Sequence, residues 1–92
     1  MTDAGAETQL SAAEERRIKK EKEAEERRLR RRKEALEAEI ERLEAEIASV
    51  HDELQKPEVM TDPDRLKALS DKMAEDKEAQ DLCYEQWLEL QE

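Results

Sequence analysis

The sequence predicts an all-α fold, a two-helix antiparallel coiled-coil hairpin whose N-terminal helix is the longer of the two. Charged residues make up 48% of the 92-residue chain and aromatic residues only 2%, which leaves too few large apolar side chains for a compact core. Apolar residues recur at alternating three- and four-residue steps, the spacing of a coiled-coil seam. Helix-breaking residues are concentrated in one short stretch, where the chain can turn back on itself.

The first helix is predicted to begin at Ser11, which can cap the backbone, while Glu14 three residues later completes a capping box. No helix-breaking residue follows until Pro57, so one helix is predicted from about residue 12 to about residue 55. Such a helix would be about 66 Å long at a rise of 1.5 Å per residue. It therefore needs a partner that covers its apolar face.

The partner is predicted within the same chain, because two seams have the same rhythm. The first seam consists of Leu29, Lys33, Leu36, Ile40, Leu43, Ile47, Val50 and Leu54. The second consists of Leu66, Leu69, Met73, Asp76, Gln80, Cys83, Trp87 and Leu90. Facing residues have numbers that add to a nearly constant total, as in an antiparallel hairpin. Because Asp76 and Gln80 are polar, the middle of the hairpin is expected to be looser than the aliphatic layers beside the turn.

The turn is predicted at about residues 56–63, in the stretch KPEVMTDPD. Pro57 stops the first helix, and Asp62 before Pro63 provides a capping side chain and a first-turn proline for the second. Two apolar residues of the turn, Val59 and Met60, either fold over the last layer of the seam or project as a contact point for another surface. The predicted organisation is a disordered lead at 1–10, a helical extension at 11–28 and the hairpin at 29–92.

Three stretches resemble the C-terminal coiled-coil domain of the F subfamily of ABC ATPases (ABC-F): LEAEIERLEAEIASVHDEL, KPEVMTDPDRLKALSDKMAEDKEAQ and CYEQWLEL. The resemblance covers about residues 30–92. Its most specific elements are the proline-glutamate and aspartate-proline pattern at the tip, and Tyr84 with Trp87 in the closing YEQW. Gln80, Cys83 and Gln86 depart from the family pattern, which weakens the packing near the root without changing the topology.

The resemblance implies an accessory C-terminal domain attached after the second of two nucleotide-binding domains, in a protein without a transmembrane part. Members of this family act mostly on the ribosome in translation, and in one branch the coiled coil binds DNA. Gly5 is the single glycine, which excludes a glycine-rich phosphate loop. The chain is therefore predicted not to be an enzyme, and ATP hydrolysis is assigned to the nucleotide-binding domains of the parent protein.

No cofactor and no metal ion are predicted. His51 has no second His or Cys within ligand spacing, and no pair of carboxylates is set apart by an apolar pocket for acid-base catalysis. Cys83 is interpreted as a small buried seam residue, with redox sensing as the alternative. A lone cysteine and the absence of a long apolar run or hydrophobic leader indicate a cytoplasmic protein without a membrane partner.

A cationic segment at residues 16–33, hereafter the basic segment, is the candidate binding site. It holds eleven basic and four acidic residues in a chain of net charge −10. The predicted nucleic-acid-binding residues are Arg16, Arg17, Lys19, Lys20, Arg27, Arg28, Arg30, Arg31, Arg32 and Lys33. Both arms of the hairpin are acidic and repel phosphate, so only this segment at the root of the hairpin is expected to bind it.

Two interpretations of the basic segment stay open. Four-residue pairs of opposite charge would make it only a solvated helix face: Glu15 with Lys19, Glu23 with Arg27, and Glu26 with Arg30. Arg27 with Arg31 and Arg28 with Arg32 are like-charge pairs that cost helix stability, which favours contact with a polyanion through phosphate neutralisation.

Trp87 could stack on an exposed base. Its seam position facing Lys33 instead favours closure of the core, with the ring over cationic stems and Tyr84 beside it.

The favoured function is that of a module contacting nucleic acid or the ribosome, with DNA or ribosomal RNA and the parent nucleotide-binding domains as partners. One alternative is a purely structural or self-associating arm. Another is an unrelated antiparallel arm such as the tRNA-binding arm of a synthetase. A monomer is predicted, although an exposed seam can also pair between chains.

Overall fold

The computed structural model describes residues 11–91, which form three α-helices and, within that range, no β-strand. Helix α1 spans Ala12–Leu54, helix α2 spans Pro57–Met60 and helix α3 spans Pro63–Glu89. The predicted all-α class is confirmed. The predicted disordered lead at 1–10 lies outside the described residues. No helix in the described range is long and apolar enough to cross a membrane.

The ends of α1 follow from local sequence signals. Ser11 caps the helix, since its Oγ accepts a hydrogen bond from the Glu14 N–H at 3.1 Å and its carbonyl accepts one from the Glu15 N–H at 2.9 Å. The helix ends at Leu54, shortly before Pro57. Both predicted ends are therefore correct to within a residue or two.

The turn contains a single helical turn, α2, that the sequence did not predict. Its N-cap residue, Lys56, has extended backbone with ψ of 132°, because the residue before a proline avoids the helical region. The Thr61 hydroxyl donates at 2.9 Å to the carbonyl of Pro57, the first residue of α2, which also accepts from the Thr61 N–H. Asp62 then caps α3 as predicted, its Oδ1 accepting from the Arg65 N–H at 3.2 Å.

The described chain divides into two units, one up to Arg31 and one from Arg32 onward. In the first unit, residues 12–31 of α1 are exposed except for half-buried Ala24. The predicted boundary between extension and hairpin at residue 29 stays a prediction.

In the second unit, residues 32–54 of α1 pack antiparallel against α3. Three contacts between the helices give the direction: Glu37 with Trp87, Glu46 with Lys72, and Glu53 with Arg65. Residue numbers rise along α1 as they fall along α3, so the predicted hairpin is confirmed.

The core of the hairpin is narrow and lies along the predicted seams. The buried residues are Ile40, Leu43 and Val50 of α1, Val59 of α2 and Asp76 of α3. Most other predicted seam positions are half-buried. This pattern is what two single helices can offer, because each covers only one face of the other.

Two seam positions were wrongly predicted to lie in the core. Leu29 and Leu66 are exposed, at 40% and 37%. In the middle of the hairpin Leu43 and Asp76 are buried, at 2% and 6% exposure, and the expectation that this region is looser stays a prediction. Near the turn the fully buried residue is Val59 of α2, a residue whose place in the core depends on the unpredicted helical turn.

Candidate functional site

The basic segment lies entirely within α1. Nine of the ten predicted binding residues are exposed, and only Lys33 is half-buried. The partial burial of Lys33 agrees with its seam position, where the aliphatic stem of a lysine can pack while its ammonium group reaches water. The other nine side chains are accessible to a large ligand.

Helix geometry aligns part of this charge. At 3.6 residues per turn, Arg17, Lys20, Arg28 and Arg31 fall within about 80° of the circumference of α1. Ala24 lies at the centre of this arc, and none of the acidic residues between positions 12 and 31 falls within it. We call these four cations the basic stripe. The basic stripe could have been predicted from the sequence by placing the cations at 3.6 residues per turn. Counting charges along the chain does not show it.

The basic segment makes no ion pair within the described range. Every ion pair among residues 11–91 is formed by residues within the range 39–76, outside the basic segment. The expected four-residue pairs of Glu15, Glu23 and Glu26 with the cations that follow them are therefore not formed. Exposed cations without an internal counter-charge retain their field for an external anion.

The hairpin carries a shallow groove of about 350 Å³ on its acidic body. It is lined by Glu37, Ile40, Glu41, Glu44, Tyr84 and Trp87. The indole N–H of Trp87 donates to Glu37 Oε1 at 3.0 Å, which ties the ring to the opposite helix. Trp87 is half-buried and Tyr84 is 45% exposed, and both line the groove. The bond to Glu37 was not predicted, because seam spacing does not specify which polar group an indole reaches.

A charged cluster connects the two helices in the middle of the hairpin. Lys72 Nζ lies 2.8 Å from Glu46 Oε1 and 3.5 Å from Asp76 Oδ1. The hydrogen bond from Lys72 lowers the pKa of Glu46, and the same bond raises the pKa of Lys72. Nearer the turn, hydrogen bonding to Lys56 lowers the pKa of Glu53. Among these contacts, the one between Lys72 and Glu46 joins the two helices.

The remaining candidate residues of the sequence are His51 and Cys83. His51 is exposed and Cys83 is half-buried. Within the part of the chain that the structure describes, no group of three or more His, Cys, Asp or Glu is placed to hold a metal ion.

Comparison with known proteins identifies the family of the chain. Residues 24–92, which contain the hairpin, its tip and the groove, match the family model described as the ABC transporter C-terminal domain. Neither curated proteins nor solved structures give a significant match. The chain therefore belongs to the ABC transporter C-terminal domain family, whose members are accessory domains of ABC proteins.

Proposed function

We propose that this chain is the C-terminal domain of an ABC-F type ATPase, and that its basic segment contacts the phosphate backbone of DNA or ribosomal RNA. In this proposal the domain is a binding module without catalytic activity of its own. It acts in the cytoplasm, and ATP hydrolysis is performed by the nucleotide-binding domains of the parent protein. The assignment to this subfamily is supported by the tip pattern around Pro57 and Pro63 and by the closing YEQW.

The observation that carries the proposal is the state of the basic segment. Its predicted binding residues are exposed except for Lys33, and none forms an ion pair within residues 11–91. Arginine is the main component, and its planar guanidinium group forms paired hydrogen bonds with phosphate oxygens. Such contacts supply affinity with little sequence preference.

The acidic hairpin restricts where a polyanion can bind. Residues 34–54 hold eight acids and one base, and residues 64–92 hold nine acids and four bases. Phosphate is repelled by both arms, so a nucleic acid is expected to contact the basic segment and avoid the hairpin. The basic stripe is the face where this contact is expected to be densest.

The test is a titration of the chain with duplex DNA, branched DNA and structured RNA at several salt concentrations. Each neutralised phosphate adds about 0.9 to the slope of log affinity against log salt for duplex DNA and about 0.7 for single strands. The stripe variant R17Q/K20Q/R28Q/R31Q is expected to lower the slope for duplex DNA by about 3 to 4. The affinity of this variant for duplex DNA at low salt should also be lower than that of the unmodified chain.

A matched control separates stripe contacts from net charge. The variant R16Q/K19Q/K22Q/R30Q also removes four positive charges, but from the other side of the same helix. It is expected to lose clearly less affinity and less slope than the stripe variant. Equal losses in both variants would assign the binding to general attraction, and a shallow slope in the unmodified chain would reject phosphate contact altogether.

A purely structural arm is the alternative function, and the cross-helix contacts of Glu37, Glu46 and Glu53 are what favour it. A rigid hairpin needs such contacts whether or not it binds a ligand. Absence of binding to all three nucleic acids in the titration would favour this alternative.

A further inference from the structure

The groove on the hairpin has the chemistry of a cation-binding site, and no part of the proposed nucleic-acid contact uses it. Two aromatic rings, those of Tyr84 and Trp87, stand beside the carboxylates of Glu37, Glu41 and Glu44. The Glu37 carboxylate already accepts a hydrogen bond from the Trp87 indole, whereas the side chains of Glu41 and Glu44 make no hydrogen bond or ion pair among residues 11–91. A phosphate would be repelled here, but a guanidinium group can stack on an aromatic ring and pair with a carboxylate.

We propose that this groove binds the arginine-rich stretch RRLRRRK, residues 27–33, of a second copy of the chain. The strongest argument is charge complementarity. This stretch has six cations in seven residues, while the helix that lines the groove holds eight acids and one base over residues 34–54. Residues 27–32 are all exposed and Lys33 is half-buried, so the stretch is accessible to a neighbouring molecule.

The division of charge along the chain makes a reciprocal pair self-complementary. Each copy carries one arginine-rich stretch and one acidic groove, so two copies can satisfy both surfaces with the same contact formed twice. Such an arrangement closes as a two-fold dimer and leaves no surface open for further growth. The contact is electrostatic and exposed, so we expect the dimer to be weak and sensitive to salt.

The inference stands apart from nucleic-acid binding, because it requires only the groove and the stretch. If both proposals are correct, nucleic acid and the groove of the second copy compete for the basic segment. A polyanion should then dissociate the dimer. Dimerisation without nucleic-acid binding would reject only the nucleic-acid proposal. Nucleic-acid binding by a chain that is monomeric before nucleic acid is added would reject only the dimer.

The first experiment is analytical ultracentrifugation of the full chain over a range of concentrations in about 0.1 M and about 1 M salt, where the screening length falls from about 10 Å to about 3 Å. A dimer is expected at the lower salt and its loss at the higher. Trp87 is the chain's single tryptophan, so its fluorescence emission should shift over the same concentration range. A monomer at every concentration in low salt would overturn the inference.

Charge reversal tests the pairing itself. The groove variant E41K/E44K and the stretch variant R27E/R30E, whose changes lie on the same side of α1, should each be monomeric, with dimer affinity lowered about tenfold or more. When the two variants are mixed, both contacts have opposite charges again, and a heterodimer should form. Circular dichroism of each variant confirms that it remains helical.

A control and two contrary outcomes complete the design. The variant E75K/E78K changes the same number of exposed acidic residues on α3 outside the groove and should still dimerise. If it weakens the dimer as much as E41K/E44K does, the groove is not the site. If both charge-reversed variants dimerise alone, the chains pair through their apolar seams and the inference is wrong.

Discussion

Asp76 is the buried polar residue of the hairpin core. It is 6% exposed, its Oδ1 lies 3.5 Å from Lys72 Nζ, and its Oδ2 has no hydrogen-bond partner among the described residues. A carboxylate oxygen removed from water without a replacement bond costs stability.

Replacing Asp76 by leucine should therefore stabilise the hairpin. We expect Asp76→Leu to raise the free energy of unfolding by about 1–3 kcal/mol in urea denaturation followed by circular dichroism, because an aliphatic side chain facing Leu43 replaces a half-satisfied carboxylate. Asp76→Asn keeps the shape and the polarity, and it should not reproduce the gain. A loss of stability in the leucine variant would mean that the contact with Lys72 outweighs the burial cost.

Most individual seam residues were predictable from the sequence, and the residues that were not have physical causes. The three-four rhythm located Ile40, Leu43, Val50 and even polar Asp76, because helical periodicity decides which residues face the partner. The exposure of Leu66 was not predictable, since it depends on how the turn folds. The bond between Trp87 and Glu37 joins residues 50 positions apart in sequence, and only the register of the folded hairpin brings them together.

Among the elements, α1 and α3 were predictable and α2 was not. The long helices are delimited by local signals, Ser11 and Asp62 as caps and Pro57 and Pro63 as breaks, each of which acts through its own backbone. A four-residue helix has no apolar period of its own. The two apolar residues of α2 differ in burial, because the helical turn directs them to different sides. Val59 is fully buried and Met60 is 60% exposed.

The tip can be tested with this matched pair. Val59→Ser should lower the free energy of unfolding by about 2–4 kcal/mol, because burial of the valine is lost and a hydroxyl takes its place in an apolar site. Met60→Ser should change it by no more than about 0.5 kcal/mol, as for other exposed positions. Thermal and urea denaturation of both variants measures the difference. Equal effects would contradict the separate roles of the two residues.

Over the whole molecule, positive charge is concentrated in the basic segment and negative charge in the hairpin, and some of the hairpin's charged residues also form contacts between its two helices. Across the surface of the hairpin, two carboxylates of α1 contact cations of α3, Glu46 with Lys72 and Glu53 with Arg65. The predicted seams specified that the helices pair. They did not specify these contacts, because a long lysine or arginine can reach several carboxylates on a surface this acidic.

The pair of Glu46 and Lys72 should make hairpin stability depend on pH in a defined direction. Lys72 lowers the pKa of Glu46 below its ordinary value of 4.5, so the stabilisation is complete above about pH 4.5 and is lost as the pH falls through the lowered value. At the other end, Glu46 raises the pKa of Lys72 above 10.5. The contribution is therefore present below about pH 10.5 and is lost as the pH rises through the raised value.

A double-mutant cycle isolates this contribution from the many other carboxylates. The melting temperatures of the unmodified chain, Glu46→Gln, Lys72→Gln and the double variant should reveal a favourable coupling at pH 7 that disappears when Glu46 is protonated in strong acid. High salt should also reduce it, because both side chains are partly exposed. The parallel cycle with Glu44→Gln, which removes a groove carboxylate with no ion pair in residues 11–91, should give no coupling to Lys72. A coupling that persists in acid, or an equal coupling to Glu44, would show that the ion pair does not hold the two helices in register.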